Sequence, residues 1–397
     1  MVWFKRIVEI LLLLYAINIC GLYPKVSILI AMVLVIYVIS NRTIKKSKMT
    51  LLVILFGVTY LVFSSVINGE NINEKVYQII LLYFFGAAVT RSLLDRSDYE
   101  EVFNIVLTGC IGFGLYGILT TLFSSASMSD TRRLVDIWSP DSVVAATQIT
   151  AWIVAFLAII PWFIFNIENQ NVIKKIAIMI LSILASISLF ILSSRTGLLV
   201  LVLVVVMTLY YVAKVHQTKT LRRMIGIIIA GLLGFGFNIF GIQDKFWNSN
   251  LMMRIIFKSA NGGVFETSRT ESWLYVLSHW TDYMFGGYHY SSAINMQIHS
   301  MILDLYDQVG IIVTLLFIVI IIKTVFNLIR IVKNNVTRFP MGLGLSILFC
   351  LMLIVLFSEP VWYYGKSNYV AFFFFIIAVI EYISLNIISY RNEGYEE

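Results

Sequence analysis

Twelve apolar segments are long enough to cross a membrane, and they constrain the fold more than any other feature of the chain. A bilayer core about 30 Å thick needs about 20 apolar residues in a helix. Lipid offers no hydrogen-bond partners, so such segments must be helical. The sequence predicts an all-α integral membrane protein, one polytopic domain over 1–397, with spans near 7–22, 25–40, 49–67, 75–92, 100–124, 142–166, 172–192, 196–213, 223–241, 300–322, 340–357 and 367–389.

Positive charges alternate from one side of these spans to the other. If the N-terminus is cytoplasmic, the inside segments carry 19 of the 29 Lys and Arg residues. Because Lys and Arg collect in cytoplasmic connections, the pattern predicts that both termini are cytoplasmic. The same rule accounts for the net charge of +7, so no nucleic-acid partner is predicted.

One long connection, residues 242–299, lies on the outer side. Long loops are usually either functional or disordered. Within this one, apolar and aromatic residues recur at helical spacing at Trp273, Val276, Leu277 and Trp280. We therefore expect a folded outer loop with short helices, one of them amphipathic and lying on the outer surface.

Patterns that could suggest a cofactor or a metal lack the context that they need. The stretch GFGLYG (Gly112, Gly114 and Gly117) fits a dinucleotide fingerprint, but it lies inside an apolar span with no preceding strand. Glycines in a span let helices approach closely, which is the interpretation we prefer. The cysteines lie in apolar segments, and the outer histidines have no ligand spacing. No cofactor and no metal site are predicted.

Several arginines are predicted on the outer side of the membrane. Arg195 joins the seventh and eighth spans, and the outer loops carry Arg132, Arg133, Arg254 and Arg269. The planar guanidinium fork matches phosphate oxygens in pairs, so converging arginines predict a site for a diphosphate. The alternative is that they contact lipid headgroups or nearby acidic residues.

His299 begins the tenth span, and Gly310 follows eleven residues later. Eleven residues are about three helical turns, which predicts that both lie on one helix face. A histidine at the water-facing end of a span is suited to act as a general base. The alternative is an interfacial histidine without a chemical role.

These features together resemble the superfamily of O-antigen ligases and Wzy-type O-antigen or capsule repeat-unit polymerases. The resemblance rests on an R-x3-L pattern (Arg195 and Leu199), an H-x10-G pattern (His299 and Gly310) and one long outer loop late in the chain. The segment SRTESWLYVLSHWTDYMFGGYHY looks like the loop segment of that family. The resemblance covers roughly residues 130–365.

The resemblance implies a metal-independent glycosyltransferase at the outer face of the bacterial cytoplasmic membrane, without a cofactor. The donor would be a glycan on undecaprenyl diphosphate, and back-side attack by a sugar hydroxyl would invert the anomeric centre. The implied roles are activation of the acceptor by His299 and diphosphate binding by Arg195, Arg269, Arg254, Arg132 and Arg133. The remaining implied partner is the lipid bilayer, and a chain-length regulator is left open.

Aromatic and acidic residues on the outer side are candidates for contact with sugars. The candidates are Trp273, Trp280, Tyr288 and Glu359. The alternative for the aromatic residues is that they anchor the loop at the membrane interface, where Trp and Tyr gather.

Three functions remain open from the sequence. We prefer a polymerase, which would add the glycan to another lipid-linked repeat unit. A ligase would transfer it to lipid A-core and shares the same motifs. A flippase or transporter of lipid-linked oligosaccharides is the third, and it is disfavoured because the polar residues cluster at one face.

Overall fold

The computed structural model describes most of the chain. The described residues are 2–41, 47–69, 74–94, 99–124, 133–167, 170–214, 222, 224–226, 229, 237–238, 241–249, 252–253, 268–294, 298–333, 339–362 and 368–392. The helices within them are α1 (Val2–Ile17), α2 (Tyr23–Asn41), α3 (Lys48–Leu61), α4 (Glu74–Leu94), α5 (Tyr99–Phe123), α6 (Ala146–Ala158), α7 (Ile160–Phe165), α8 (Val172–Ile191), α9 (Arg195–Lys214), α10 (Ile242–Trp247), α11 (Ser268–Ser278), α12 (His289–Ile294), α13 (Met301–Lys333), α14 (Phe339–Ser358) and α15 (Asn368–Asn392). A π-helical segment, Val62–Ile67, continues α3.

The helices bear out the membrane prediction. Among the described residues, eight are long and apolar enough to cross a membrane, and two shorter apolar helices cover Tyr23–Ile39 and Arg195–Tyr210. The first predicted segment, 7–22, overlaps α1 (Val2–Ile17), which has 16 residues. The ninth, 223–241, lies mostly outside the described residues. The chain is thus a multi-pass helical membrane protein, while the total of twelve spans and the sidedness of the termini stay predictions.

The helical fold agrees with the all-α prediction, and one short β-hairpin interrupts it. Strands β1 (Arg133–Asp136) and β2 (Ser139–Ala145) pair antiparallel, and α6 begins only at Ala146. The predicted sixth span, 142–166, therefore starts four residues too early. Its first residues include Val143 and Val144, which fit a pleated strand as well as an apolar helix. Hydropathy alone could not distinguish the two because the pairing partner lies in the preceding loop.

The centre of the bundle is α15, which packs most extensively against α4 and also against α13. Its phenylalanines Phe372–Phe375 are fully buried. On α4, Gly86 leaves room for this approach, because a Cβ there would lie 2.9 Å from the carbonyl oxygen of Phe375. A helix that is apolar on all sides is buried inside the protein, as the composition of α15 requires.

The glycines of GFGLYG are confirmed as packing positions. A Cβ on Gly112, Gly114 or Gly117 would lie 2.7, 2.6 or 2.8 Å from a side chain of α1 or α6. These distances are too short for any larger residue, so the three glycines let α1 and α6 pack directly on α5.

Contacts between helix ends define two faces of the bundle. At one face, Asn68 Nδ2 donates to the carbonyl oxygen of Gln308 at 2.8 Å, and Trp362 Nε1 donates to Gln308 Oε1 at 2.7 Å. Tyr15 donates to Gln78 at 3.2 Å at the same end. We call this end, which also carries the segment 268–294, the loop face. The opposite face has its own contacts, among them Lys5 with Glu101, Lys174 with Asn104 and Asn386 with Tyr99.

Candidate functional site

Residues 268–294 pack against the membrane bundle through α11 and α12. Helix α11 has a second hydrophobic core beneath it, formed by Val276, Tyr290, Ile298 and Tyr306. Trp273 packs at the edge of this core and donates its indole N–H to the carbonyl oxygen of Ile298 at 2.6 Å. The loop helix is therefore attached to the residue directly before His299.

The amphipathic face of α11 differs in part from the prediction. Val276 is fully buried and Trp273 half-buried, but Leu277 and Trp280 are 59% and 50% exposed. Trp273 and Val276 thus face the protein, whereas Leu277 and Trp280 do not. The reason is that the helix buries one stripe against the protein and leaves a second apolar stripe uncovered. That exposed ridge consists of Leu274, Leu277, Trp280, Tyr283, Met284 and Phe285.

The ridge continues into the apolar surface of the bundle. Phe285 stacks on Phe63 of the π-helical segment, with 6.2 Å between ring centroids. Val66, in the same segment, is 78% exposed. Exposed apolar residues of this kind, next to membrane spans, are typical of a surface that lies in the interface of the bilayer. Trp280 thus lies on this ridge, and its carbonyl oxygen accepts a hydrogen bond from the Tyr306 hydroxyl.

Tyr290 is a buried polar contact in the centre of the docked loop. Its hydroxyl donates to the carbonyl oxygen of His279 at 2.5 Å and accepts from the N–H of Tyr283 at 3.3 Å. Burial raises the pKa of this hydroxyl above its usual range. The group is therefore held neutral and serves to join the turn after α11 to α12.

His299 lies outside the helix in which the sequence placed it. It occupies a short connection, 298–300, before α13 begins at Met301, and its φ is +59°. Gly310 interrupts the helix with φ +81° and ψ −176°. The prediction that both residues lie on one helix face is therefore wrong. A non-glycine residue with positive φ is uncommon and is held there by its surroundings, in this case by the Trp273 contact to Ile298.

Gly310 lies against the backbone of the turn that follows α11. The N–H of Ile311 donates to the carbonyl oxygen of Met284 at 2.9 Å, and that of Gly287 donates to Gln308 at 3.1 Å. A Cβ on Gly310 would overlap the carbonyl oxygen of Met284. The break in α13 is therefore the place where the turn after α11 is joined to the membrane helix.

Tyr288, a candidate for sugar contact, belongs to the same junction. Its N–H donates to the carbonyl oxygen of Asp307 at 2.8 Å, and its φ is +59°. Its backbone thus has a structural part in docking the loop, while its side chain is half-buried.

Asp307 is a residue that the sequence reasoning missed. The Asp307 carboxylate is buried and accepts N–H bonds from Tyr290 at 2.8 Å and from Ser291 at 3.2 Å. These are the free N–H groups at the start of α12, which a carboxylate satisfies well. The signal was present in the sequence, since Asp304 and Asp307 are two acidic residues in an apolar span and such residues are rare there.

Asp304 lies three residues before Asp307 and is also buried, with 4% of its surface exposed. Its N–H donates to the carbonyl oxygen of Ser300 at 2.7 Å. Among the described residues, its Oδ2 atom has no hydrogen-bond partner. The charged groups that act on it are Asp307 and Lys75 of α4.

A tryptophan and a lysine complete this part of the loop face. Trp362 is buried, and Tyr60 of α3 meets its ring edge-on at 5.6 Å. Lys75 donates to the carbonyl oxygen of Trp362 and lies 5.8 Å from the centre of its ring. Glu359, which the sequence placed on this side, is 3% exposed and precedes Trp362 by three residues.

The predicted arginines are only partly described. Arg195 is exposed and begins α9, after a turn in which Ser194 Oγ accepts from the N–H of Gly197 at 3.0 Å. This agrees with the predicted junction of spans seven and eight. Arg132 and Arg254 lie outside the described residues, and the side chains of Arg133 and Arg269 do as well.

Arg195 and His299 stand at the starts of two helices that share a neighbour. Helix α9 packs against α6, α7, α8 and α14, whereas α13 packs against α3, α14 and α15. Phe246 of α10 meets Phe190 near the end of α8, with 6.2 Å between ring centroids, which brings the beginning of the long connection next to this turn. The helices that follow Arg195 and His299 thus both pack against α14.

Metal binding has no support in the part of the chain that the structure describes. Within those residues, no group of three or more His, Cys, Asp or Glu side chains is arranged to hold an ion. The chain matches no protein-family model, and no curated protein matches it at a significant level.

Proposed function

We propose that this protein is a polysaccharide repeat-unit polymerase, a glycosyltransferase that acts on glycans carried by undecaprenyl diphosphate. The observation that carries the proposal is the setting of His299. It stands at the loop face in a strained left-handed conformation, and Trp273 fixes the preceding residue from the docked outer helix. Strain of this kind clusters at functional sites, where the surrounding structure holds it.

The proposed reaction needs a base and a set of positive charges. His299 accepts the proton of the acceptor hydroxyl as its oxygen forms a bond to the anomeric carbon of the donor sugar. The bond from that carbon to the diphosphate oxygen breaks, and the diphosphate leaves with the electron pair. Arg195, Arg269, Arg254, Arg132 and Arg133 are the proposed partners of the diphosphate charge. Attack from the opposite side inverts the anomeric centre.

The test is polymerisation by the purified full-length protein in liposomes, with lipid-linked repeat units as the only substrate and no ion gradient. We expect the wild type to lengthen the glycan. The H299A variant should lower the rate at least 100-fold, because removal of a general base typically costs 10²–10⁴. The matched control is H279A, since His279 lies in the same outer segment and is exposed. Equal rates for wild type and H299A would remove His299 from the mechanism.

A ligase is the second function with the same site chemistry. Deletion of the gene separates the two in cells. Loss of long chains with single repeats still attached to their final acceptor indicates a polymerase. Loss of all attachment, with polymer left on the lipid carrier, indicates a ligase.

A transporter is favoured by one specific observation, the buried Asp304 within a membrane span. Ionisable residues in spans often mark ion or substrate pathways. In the same liposomes, lipid-linked repeats that cross the bilayer without becoming longer would support transport and contradict the proposed polymerase.

A further inference from the structure

The first part of α13, residues 301–309, has a departure from helical geometry at each end. His299, just before it, has φ +59°, and Gly310, just after it, has φ +81° and ψ −176°. Because these angles are far from those of a helix, the rest of α13 does not by itself fix the orientation of residues 301–309. That orientation depends on contacts with other parts of the protein, and it affects where His299 stands.

Gln308 makes such contacts with both its backbone and its side chain. Its carbonyl oxygen accepts from Asn68 Nδ2 at 2.8 Å and from the N–H of Gly287 at 3.1 Å. Its Oε1 atom accepts from the Trp362 indole at 2.7 Å. Gln308 is 1% exposed, so these bonds are shielded from water and are stronger than they would be at the surface. They join residues 301–309 to the end of α3, to the turn after α11 and to the connection after α14.

Trp362, the donor to the Gln308 side chain, is itself fixed by its neighbours. It is buried, and Tyr60 of α3 meets its ring edge-on at 5.6 Å. Lys75 of α4 donates to its carbonyl oxygen and lies 5.8 Å from the centre of its ring, where a cation attracts the aromatic face. Both the ring and the backbone of Trp362 are therefore held, and its bond to Gln308 links α3 and α4 to residues 301–309.

Packing alone does not require a glutamine at this position. Burial of an amide costs free energy that its hydrogen bonds only offset, and an apolar side chain of similar shape would fill the same space without that cost. Hydrogen bonds depend on direction, whereas apolar contacts do not, so a buried polar contact specifies one arrangement of the groups around it. The bond from Trp362 thus selects one orientation of residues 301–309.

We infer that Gln308 and Trp362 are positioning residues for His299. Their bond fixes the orientation of residues 301–309, and His299 stands just before this segment. The inference rests on the proposed function, because a general base must be held within about 0.5 Å of its productive position. Gln308 and Trp362 act through His299 and take no part in the proton transfer.

The test uses two variants that remove the bond from opposite sides. W362F keeps an aromatic ring and removes the N–H donor, whereas Q308M keeps the length of the side chain and removes the acceptor. The matched control is W138F, which removes an indole bond to the carbonyl oxygen of Ile17 at 3.0 Å.

The first measurement is the NMR signal of the His299 ring in the full-length protein in lipid nanodiscs, with labelled histidine. The signal is assigned by its loss in H299A. W362F and Q308M should shift it in the same direction, because both release the same segment. W138F should leave it unchanged.

The second measurement is the rate of glycan transfer per folded molecule. W362F and Q308M should each lower kcat about tenfold and leave KM unchanged, because a displaced base affects the reaction and not the binding of substrate. The double variant should also lose about tenfold rather than about a hundredfold, since both changes remove one and the same bond.

A His299 signal that is unchanged in both W362F and Q308M would overturn the inference, as would a kcat in these variants equal to that of W138F. A loss of about a hundredfold in the double variant would also contradict it, because the two side chains would then act independently. A wild type that does not lengthen the glycan would instead contradict the proposed function, and the His299 signal would still decide whether the bond positions this residue.

Discussion

The two faces of the bundle differ in how completely particular buried polar groups are hydrogen-bonded. At the face opposite the loop, Asn327 donates to Glu381, and Arg330 donates to Ser384 at 3.1 Å and to Asn327 at 3.4 Å. Asn327, Glu381 and Ser384 are all buried, and they form one connected network. At the loop face, the Oδ2 atom of Asp304 and the hydroxyl oxygen of Ser64 are buried with no hydrogen-bond partner among the described residues. A satisfied network stabilises the fold, whereas unsatisfied groups are retained when something else needs them.

The largest effect is expected where the loop joins the membrane helix. G310A should destabilise the protein by about 3 kcal/mol, because the new Cβ is forced into the carbonyl oxygen of Met284 at a positive φ. The measurement is the Tm, together with trypsin cleavage after Arg269. The control is G226A, at a helical position where a Cβ meets nothing within 4 Å. Similar Tm values for the two variants would show that the junction does not hold the loop.

The next largest effect is expected at the opposite face. N327L should lower the free energy of unfolding by about 2–3 kcal/mol, because it leaves the buried Glu381 without its donor. The rate of glycan transfer per folded molecule should stay unchanged, since this network is at the far end of the bundle. A lower rate of glycan transfer per folded molecule would show that this network affects catalysis as well as stability.

We expect a smaller loss of stability, but a larger loss of transfer rate, when Trp273 loses its hydrogen bond to Ile298, the residue before His299. W273F keeps the ring but removes the hydrogen bond to Ile298, which should cost about 1 kcal/mol of stability. The transfer rate should fall about tenfold, because small displacements of a base are costly. The control is W138F, which removes an equivalent bond to the carbonyl oxygen of Ile17 at the hairpin. If both variants lose rate equally, the bond to Ile298 has no special role in placing His299.

The smallest effect on stability is expected on the exposed ridge. L277S should change the free energy of unfolding by less than about 0.5 kcal/mol, as is usual for exposed positions. Its effect should appear when the protein is in lipid. There, brominated acyl chains should quench the fluorescence of Trp280 less strongly in L277S than in the unsubstituted protein. Quenching that is absent in both proteins would show that the ridge faces water.

Hydropathy predicted the long apolar helices of the described residues because helices in lipid must satisfy their own backbone. Three features follow from the local sequence pattern. They are the junction at Arg195, the helix around Trp273, and the packing role of Gly112, Gly114 and Gly117. The hairpin at 133–145 did not, because its strands are stabilised by each other and by burial of Leu134 and Val144. Apolar character alone is shared by such a strand and by a helix.

The sequence by itself determined that this chain crosses the membrane repeatedly, that a helix forms around Trp273, and that His299 stands directly before a span. These properties depend on composition and on neighbouring residues. Only the tertiary structure decided that α13 is broken at Gly310, where the N–H of Ile311 donates to the carbonyl oxygen of Met284. It also decided that the Asp307 carboxylate accepts an N–H bond from α12, whereas the buried Oδ2 atom of Asp304 has no hydrogen bond from any described residue. The physical reason is that a hydrogen bond between distant segments depends on the positions of both partners in space. Sequence spacing predicts the position of a residue only relative to its neighbours in the same helix or strand.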